Sequence, residues 1–351
     1  MGRMEDIDAR LKSRMDAMNK RLSGRMAALD AKSGLTDGNS SAGCIERRCA
    51  AAQTSNGKAA SAVSVVAGND DRWCYSDKIM YNMWDMIRSM PYVQDNAQYK
   101  SVADKVQFNV LHSSDEPIHF SNGDMTGDDI NAFAYRKDSW LGTRPVIYVC
   151  SGAMRYARLM SAAYAQMSFP ACFRDMAARW LLLGSCSISP DFAEKFSNDH
   201  GLNKLMKVSR AEEDVDNVAL GGLMGVVAHE LGHQVYGHCM GGNGGEDCET
   251  SLEISRHRER DADSFASAIT SQSKFKKDMG MGTIIWHLAF VIRDCIRVRC
   301  NPESIKTFDH PHELERLLDF VNHNESTIKA IGIGWAEIGK LLSDLGINLT
   351  C

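Results

Sequence analysis

The chain of 351 residues is 44% hydrophobic and 24% charged, which is typical of globular domains and sufficient for a large core. Its formal net charge of -5 argues against a nucleic-acid partner and against recruitment to anionic membranes by bulk charge. Polar or charged residues break each apolar run well before the ~20 residues that a membrane span requires. We therefore expect a soluble protein that is not membrane-spanning.

The N-terminal segment and the cysteine content are the two features that indicate the cellular compartment of the protein. Charged residues recur between Arg3 and Lys32, so this segment lacks the apolar core of a signal peptide. We expect a cytoplasmic protein if this N-terminus is native, and a periplasmic or secreted one if a signal peptide was removed. The eleven cysteines leave two interpretations open, buried free thiols or short-range disulfides. The close pairs are Cys44 with Cys49, Cys239 with Cys248, and Cys295 with Cys300.

Residues 1–32 carry a repeat of eleven residues. One register position is occupied by methionine in each repeat, at Met4, Met15 and Met26. Because eleven residues are close to three helical turns, one apolar stripe persists along an amphipathic helix. Two interpretations stay open: a coiled coil that joins copies of the chain through residues 4–32, or a helix that packs on its own domain. Residues 33–70 are rich in Ser, Gly, Ala and Asn, which is typical of a flexible linker.

The main domain is expected to extend from about residue 71 to residue 351. Its first segment, Asp71–Met90, has an apolar pattern that can form a core helix. The stretches "AFAYRKDSW" and "RPVIYVCSG" then predict strand, turn and strand. Helical patterns dominate downstream, over 153–215, 215–238, 249–273, 283–298 and 311–321. Together they predict a helix-dominated α+β fold with a small antiparallel sheet.

The segment "AHELGH" (Ala228–His233) is the first candidate for chemistry. His229 and His233 are four residues apart, so on a helix their imidazoles point the same way and can close on one metal ion. Glu230 would lie beside that ion rather than on it. The pattern alone leaves open whether this is a zinc helix or a helix that carries polar residues by chance.

Glu259 and Asp263 form a second pair at the same spacing, in "RHRERDADSFASAI" (Arg256–Ile269). Catalytic zinc takes three protein ligands and a water, so one of these carboxylates can bind the ion while the other orients a ligand histidine. A second interpretation is a salt-bridged surface stripe, because arginines surround the carboxylates. These arginines are Arg256, Arg258 and Arg260.

Four motifs occur in an order that resembles the zinc endopeptidase family of HtpX and the CAAX prenyl proteases. They are "NAFA" (Asn131–Ala134), "AHELGH" (Ala228–His233), "ERDAD" (Glu259–Asp263) and "HPHELERL" (His310–Leu317), and they span more than half of the chain. The resemblance implies a zincin-like metallopeptidase domain of the gluzincin type. It also implies one catalytic Zn²⁺ held by His229, His233 and Glu259.

The same resemblance implies roles for the remaining motif residues. Glu230 would act as the general base. Asp263 would hold the metal-binding side chains in position without contacting the ion itself. His310 would lie near the scissile bond and donate to the oxyanion. The substrate would lie along an edge strand formed by Asn131, Ala132, Phe133 and Ala134.

The chain departs from the family pattern at two places. His312 stands where the family usually has a second proline, and about sixty residues, 155–215, are inserted before the "AHELGH" helix. We expect this helical insertion to cover the cleft or to form a substrate-specific lobe. Since members of the HtpX type are embedded in the membrane, we compare this chain with the soluble members and expect no prenylated substrate.

The expected function is zinc-dependent hydrolysis of peptide bonds in protein substrates, with a role in protein quality control. Two alternatives stay open: a latent or chaperone-like zinc protein whose insertion blocks the cleft, and an oligomerising binding module. We expect His238, His257 and His312 to lie outside the ligand set, either solvated or supporting it. Trp286 is assigned to the core.

Overall fold

The computed structural model describes residues 71–120, 123–137, 144–166, 187–238, 252–300 and 311–331, and single positions between 168 and 176. The predicted N-terminal helix, the linker and His310 therefore lie outside the described residues. Cys74, Cys150 and Cys172 are free thiols. The three cysteine pairs singled out in the sequence lie outside the described side chains.

Three helices precede the sheet: α1 (Asp77–Arg88), α2 (Pro91–Gln94) and α3 (Ala97–Ala103). Helix α1 forms where the core helix was predicted, because apolar residues at helical spacing bury one face. These residues are Met80, Met83, Trp84 and Ile87. Asn96 caps α3, since its side chain accepts hydrogen bonds from the backbone N–H groups of Gln98 and Tyr99.

The main sheet has three strands in the order β1 (Gln107–Leu111), β5 (Arg144–Cys150) and β4 (Ala132–Lys137). Strands β4 and β5 pair in antiparallel fashion, as the strand–turn–strand pattern predicts. Strand β1 pairs with β5 in parallel, so the sheet is mixed and the expectation of an antiparallel sheet is corrected. A separate hairpin joins β2 (Ile118–Phe120) and β3 (Gly123–Met125). The physical reason for the mixed pairing is that β1 and β5 are not joined by a short hairpin, since β2, β3 and β4 lie between them in the chain, and a long connection allows parallel pairing.

Helices make up most of the remaining described chain, which agrees with the predicted helix-dominated α+β class. They are α4 (Ser151–Ala165), α5 (Pro190–Asp199), α6 (Leu202–Leu205), α7 (Ser209–Val235), α8 (Leu252–Gln272), α9 (Lys276–Cys300), α10 (Glu313–His323) and α11 (Glu325–Ile331). Among the described residues, no helix is both long enough and apolar enough to cross a membrane.

Helix α7 is the centre of the packing and contacts α4, α8, α9, β4 and β5. Its contact with α9 is made by backbone atoms: a Cβ added at Gly282 would lie 2.2 Å from the backbone nitrogen of Gly222. Its contact with α8 is nearly as close, because a Cβ at Gly232 would lie 3.0 Å from the Cα of Ala262. Both close helix–helix contacts therefore require glycine, because a larger side chain would occupy the space between the two helices.

Two arginines of α4 anchor the neighbouring segments. Buried Arg155 donates through Nε to Asp71 at 2.6 Å and through Nη1 to Asp128 at 3.0 Å. Arg158 donates through Nε to Asp216 of α7 at 2.7 Å. Both arginines belong to the inserted segment 155–215, and so does the start of α7. Both ends of that segment are thus built into the core of the domain.

We expect Gly282→Ala to destabilise the fold by ~1–3 kcal/mol, as overpacking of a close contact typically does. Helix propensity alone would favour alanine over glycine by ~1 kcal/mol, so any loss reports the contact with Gly222. The free energy of unfolding is measured in urea. Ser101→Ala on the exposed face of α3 is the control and should stay within ~0.5 kcal/mol of the wild type. Equal stability of Gly282→Ala and the wild type would contradict the backbone contact.

Candidate metal centre

Helices α7 and α8 bring three potential metal ligands together. The Nε2 atoms of His229 and His233 lie 3.1 Å apart. The two carboxylate oxygens of Glu259 lie 3.3 Å from these nitrogens, Oε2 from His229 and Oε1 from His233. Among the described residues, these three form a group whose ligand atoms all lie within 4.8 Å of one another. Two imidazoles and one carboxylate are a donor set that suits zinc.

The spacing of each pair explains why the group forms. His229 and His233 share one face of α7, and Glu259 and Asp263 share one face of α8. The two faces meet because Gly232 lets α8 approach closely. Glu259 is only 8% exposed, so it does not belong to a solvated surface stripe. One of the surrounding arginines, Arg260, instead pairs with Glu315 of α10 at 2.7 Å.

Asp263 orients the first histidine. Its Oδ1 lies 2.8 Å from Nδ1 of His229, so this nitrogen donates and Nε2 is left for a metal ion. Burial raises the pKa of Asp263, but the Arg316 guanidinium outweighs it and holds the pKa well below its usual range. Arg316 makes two hydrogen bonds to Asp263, at 2.7 Å from Nη2 and 2.8 Å from Nε. The carboxylate is therefore ionised and fixed in place.

His238 orients the second histidine. The Nδ1 atoms of His233 and His238 lie 2.8 Å apart, so one of them donates and the other accepts. Burial and the neighbouring His233 lower the pKa of His238 to about 4, which makes it a neutral acceptor near pH 7. When His233 uses Nε2 as a ligand atom, its Nδ1–H donates to His238. Of the two roles expected for His238, the supporting one fits this geometry.

The other two histidines next to the site do not face the ligands. The side chain of His257 is 73% exposed and lies 3.8 Å from Asp261. His312 caps α10, because its Nδ1 accepts from the backbone N–H of Leu314 at 3.2 Å. His312, which stands where the family that the motifs resemble usually has a proline, is therefore the N-cap of the helix that carries Arg316.

Glu230 connects α7 to the sheet. Burial raises the pKa of its carboxyl group, while the adjacent His229 and His233 oppose that rise. The nearby backbone of Ala134 in β4 also opposes that rise. A glutamate beside a metal position is placed to accept a proton and to return it.

The "NAFA" residues lie at a sheet edge, since β4 pairs only with β5 among the described strands. The backbone N–H of Cys150 donates to Asn131 at 3.0 Å, so the hydrogen-bonding groups of Asn131 and Phe133 face β5. Those of Ala132 and Ala134 face the opposite way. The Phe133 ring stacks on Tyr148 with centroids 5.4 Å apart. Of the four residues, Asn131 and Ala132 line the cavity beside the metal ligands, and Phe133 and Ala134 do not.

A cavity of about 610 Å³ opens beside these groups. Its walls include Asn131, Ala132, His229, Glu230, Glu259, Asp263 and Arg316, and it continues between α8, α9 and α10. None of the described residues between 155 and 215 lines it. The part of the insertion that the structure describes therefore does not cover this cavity.

The motifs predicted no role for Arg316 or Glu313, whereas His238 was expected to be either solvated or supporting. Arg316 lies in the quoted "HPHELERL" motif, and it donates through Nη1 to Glu313 at 2.6 Å. Glu313 in turn lies 3.0 Å from Nδ1 of His287. The motif drew attention only to His310, because a sequence pattern does not show that an arginine reaches a carboxylate 53 residues away.

Comparisons of the chain with protein-family models, with curated proteins and with solved structures gave no match. The assignment of the site therefore depends on its geometry and on the motifs themselves.

We expect His238→Phe to weaken zinc binding by ~10–100-fold, because loss of the partner of a ligand histidine typically has that effect. The zinc dissociation constant is measured by competition with a chelator. His257→Ala is the matched control and should bind zinc like the wild type, whereas His233→Ala should lose the ion. Wild-type affinity in His238→Phe would contradict its supporting role.

Proposed function

We propose that the protein is a zinc-dependent endopeptidase that hydrolyses peptide bonds in protein substrates. The observation that carries the proposal is the convergence of His229, His233 and Glu259, with Glu230 beside them. The motif order, which resembles the HtpX and CAAX prenyl protease family, supports it independently. On this proposal the domain is a zincin-like gluzincin with one catalytic Zn²⁺.

The donor set fits a zinc ion, because both histidines have a partner that holds the second ring nitrogen. Zinc bound there would act as a Lewis acid and lower the pKa of a coordinated water towards neutrality. Glu230 would accept the proton of the attacking water and deliver it to the leaving amine. Its raised pKa and its place on the cavity wall suit both steps.

The substrate backbone is proposed to extend along β4. The outward backbone groups of Ala132 can pair with an extended peptide, as in strand addition to a sheet edge. Asn131 lies beside Ala132 on the same cavity wall. We also propose, from the motif alone, that His310 donates to the oxyanion of the tetrahedral intermediate.

We expect Glu230→Gln to keep zinc and to lose ~10²–10⁴-fold in peptidase rate, since the amide cannot accept the proton. Zinc content is measured by elemental analysis and the rate with fluorescein-labelled casein. Glu315→Gln on α10 makes the same chemical change outside the cavity lining and should keep the wild-type rate. Cleavage by Glu230→Gln at the wild-type rate would show that Glu230 is not the base.

The same assay separates an active enzyme from a latent zinc protein. Wild-type protein is tested before and after limited proteolysis, because cleavage of a segment that blocks the cleft would release activity. Activity that appears only after proteolysis supports latency. A zinc-loaded protein that stays inactive in both states contradicts the proposed peptidase function.

A further inference from the structure

Arg316 joins two carboxylates, and each of them holds the ring of a histidine. Asp263 lies 2.8 Å from Nδ1 of His229, and Glu313 lies 3.0 Å from Nδ1 of His287. Because an ionised carboxylate can only accept hydrogen bonds, the ring nitrogen donates in each pair. The first pair supports a candidate metal ligand. The second pair has no role in the proposed mechanism, although both of its members are buried and line the cavity.

The Arg316 guanidinium has a third carboxylate within reach, that of the candidate metal ligand Glu259. Its Nη2 lies 2.7 Å from Oδ1 of Asp263 but 3.8 Å from Oε2 of Glu259, which is too long for a hydrogen bond. A rotation of the guanidinium towards Glu259 would close that gap. The arginine would then compete with a metal ion for this oxygen, since both require its lone pairs.

Glu313 opposes this rotation, because it holds the end of the guanidinium. Its Oε1 accepts from Nη1 of Arg316 at 2.6 Å, while Nε and Nη2 form a fork on Asp263. A planar guanidinium that is held on two sides cannot turn without breaking a charge-assisted hydrogen bond. Both carboxylates together therefore keep Nη2 away from Glu259.

Helix α9 fixes Glu313 through both its side chain and its backbone. His287 donates from Nδ1 to Oε2 of Glu313 at 3.0 Å, and the backbone N–H of Glu313 donates to Oδ2 of Asp294 at 3.1 Å. Glu313 is 3% exposed, His287 9% and Asp294 2%, so these hydrogen bonds lie away from bulk water. Hydrogen bonds in such a region are strong and rigid when their groups are paired. Two side chains of α9 thus set the position of Glu313.

We propose that His287 and Glu313 are positioning residues for the metal centre, which act through Arg316 to keep Glu259 available to the ion. The proposal rests on the zinc site of the proposed function and adds two residues to it. Loss of either residue frees the guanidinium and weakens metal binding. The competing interpretation is a buried pair that only joins α9 to α10, in which case the substitutions change stability and leave zinc affinity alone.

The first experiment compares two substitutions of nearly the same shape at His287. Asparagine keeps an N–H donor near the position of Nδ1, and leucine does not. We expect His287→Leu to weaken zinc binding ~10-fold, at the lower end of the range for groups that hold metal ligands, and His287→Asn to keep most of the affinity. The zinc dissociation constant is measured by competition with a chelator.

The second experiment tests the charge of Glu313. In Glu313→Gln the amide holds Arg316 more weakly than a carboxylate does, so zinc binding should fall ~10–100-fold. Glu315→Gln is the matched control, because it makes the same change two residues further along α10. Glu315 is half exposed and pairs with Arg260, and its variant should bind zinc like the wild type.

The absorption bands of Co²⁺ bound in place of zinc report the ligand set, which a purely structural role would not change. The bands should shift in Glu313→Gln and His287→Leu and stay in place in His287→Asn. Unfolding of the metal-free proteins in urea checks that each variant folds, and either position alone suffices for the test.

Equal zinc affinity of His287→Leu and His287→Asn contradicts the proposal, since packing alone then explains the result. Wild-type affinity and an unshifted Co²⁺ spectrum in folded Glu313→Gln contradict it as well. A wild-type protein that binds no zinc overturns the metal centre together with this inference. Zinc binding that depends on His287 and Glu313, without any peptidase activity, supports the inference and contradicts the proposed function.

Discussion

The candidate metal centre depends on the close contacts of helix α7 with α8 and α9. Gly222 and Gly282 let the α7 and α9 backbones touch, and Gly232 brings α8 near enough for Glu259 to reach both histidines. A Cβ at Gly282 would clash with the α7 backbone, and one at Gly232 would make its neighbours on α8 move by a few tenths of an ångström. Since metal ligands must lie within a few tenths of an ångström of their ideal distances, such a shift would open the site. The glycines therefore belong to the site as much as its polar residues do.

Charge balance is the second condition that the site must meet. Glu230, Glu259, Asp263 and Glu313 bring four carboxyl groups into one partly buried region, and Arg316 contacts or approaches three of them. Carboxylates gathered in a region of low dielectric repel each other, and one guanidinium does not balance all of them. A divalent cation between His229, His233 and Glu259 would add positive charge to this region. Without one, Asp263 and Glu259 outweigh the effect of burial and raise the pKa of His229 to about 10, so its protonated ring carries part of that charge. The electrostatics and the ligand geometry thus favour the same occupant.

The sequence predicted the parts of the site that depend on local spacing. The two i, i+4 pairs and the β4–β5 hairpin follow from helical and strand periodicity over a few residues. Strand β1 was missed, although Val106, Phe108 and Val110 alternate as a strand requires, and its parallel pairing with β5 depends on contacts across nearly forty residues. The roles of His238 and Arg316 follow from tertiary packing, because each acts through a group on another turn or another helix. No short-range pattern contains that information.

The outward edge of β4 lies beside the acid–base group of α7. The backbone of Ala134 is near enough to Glu230 to favour the ionised form of its carboxyl group. On the proposed function, a peptide strand added to this edge would run past the carboxylate that takes the proton of the attacking water. One strand edge would then set both the direction of the substrate backbone and its distance from the base.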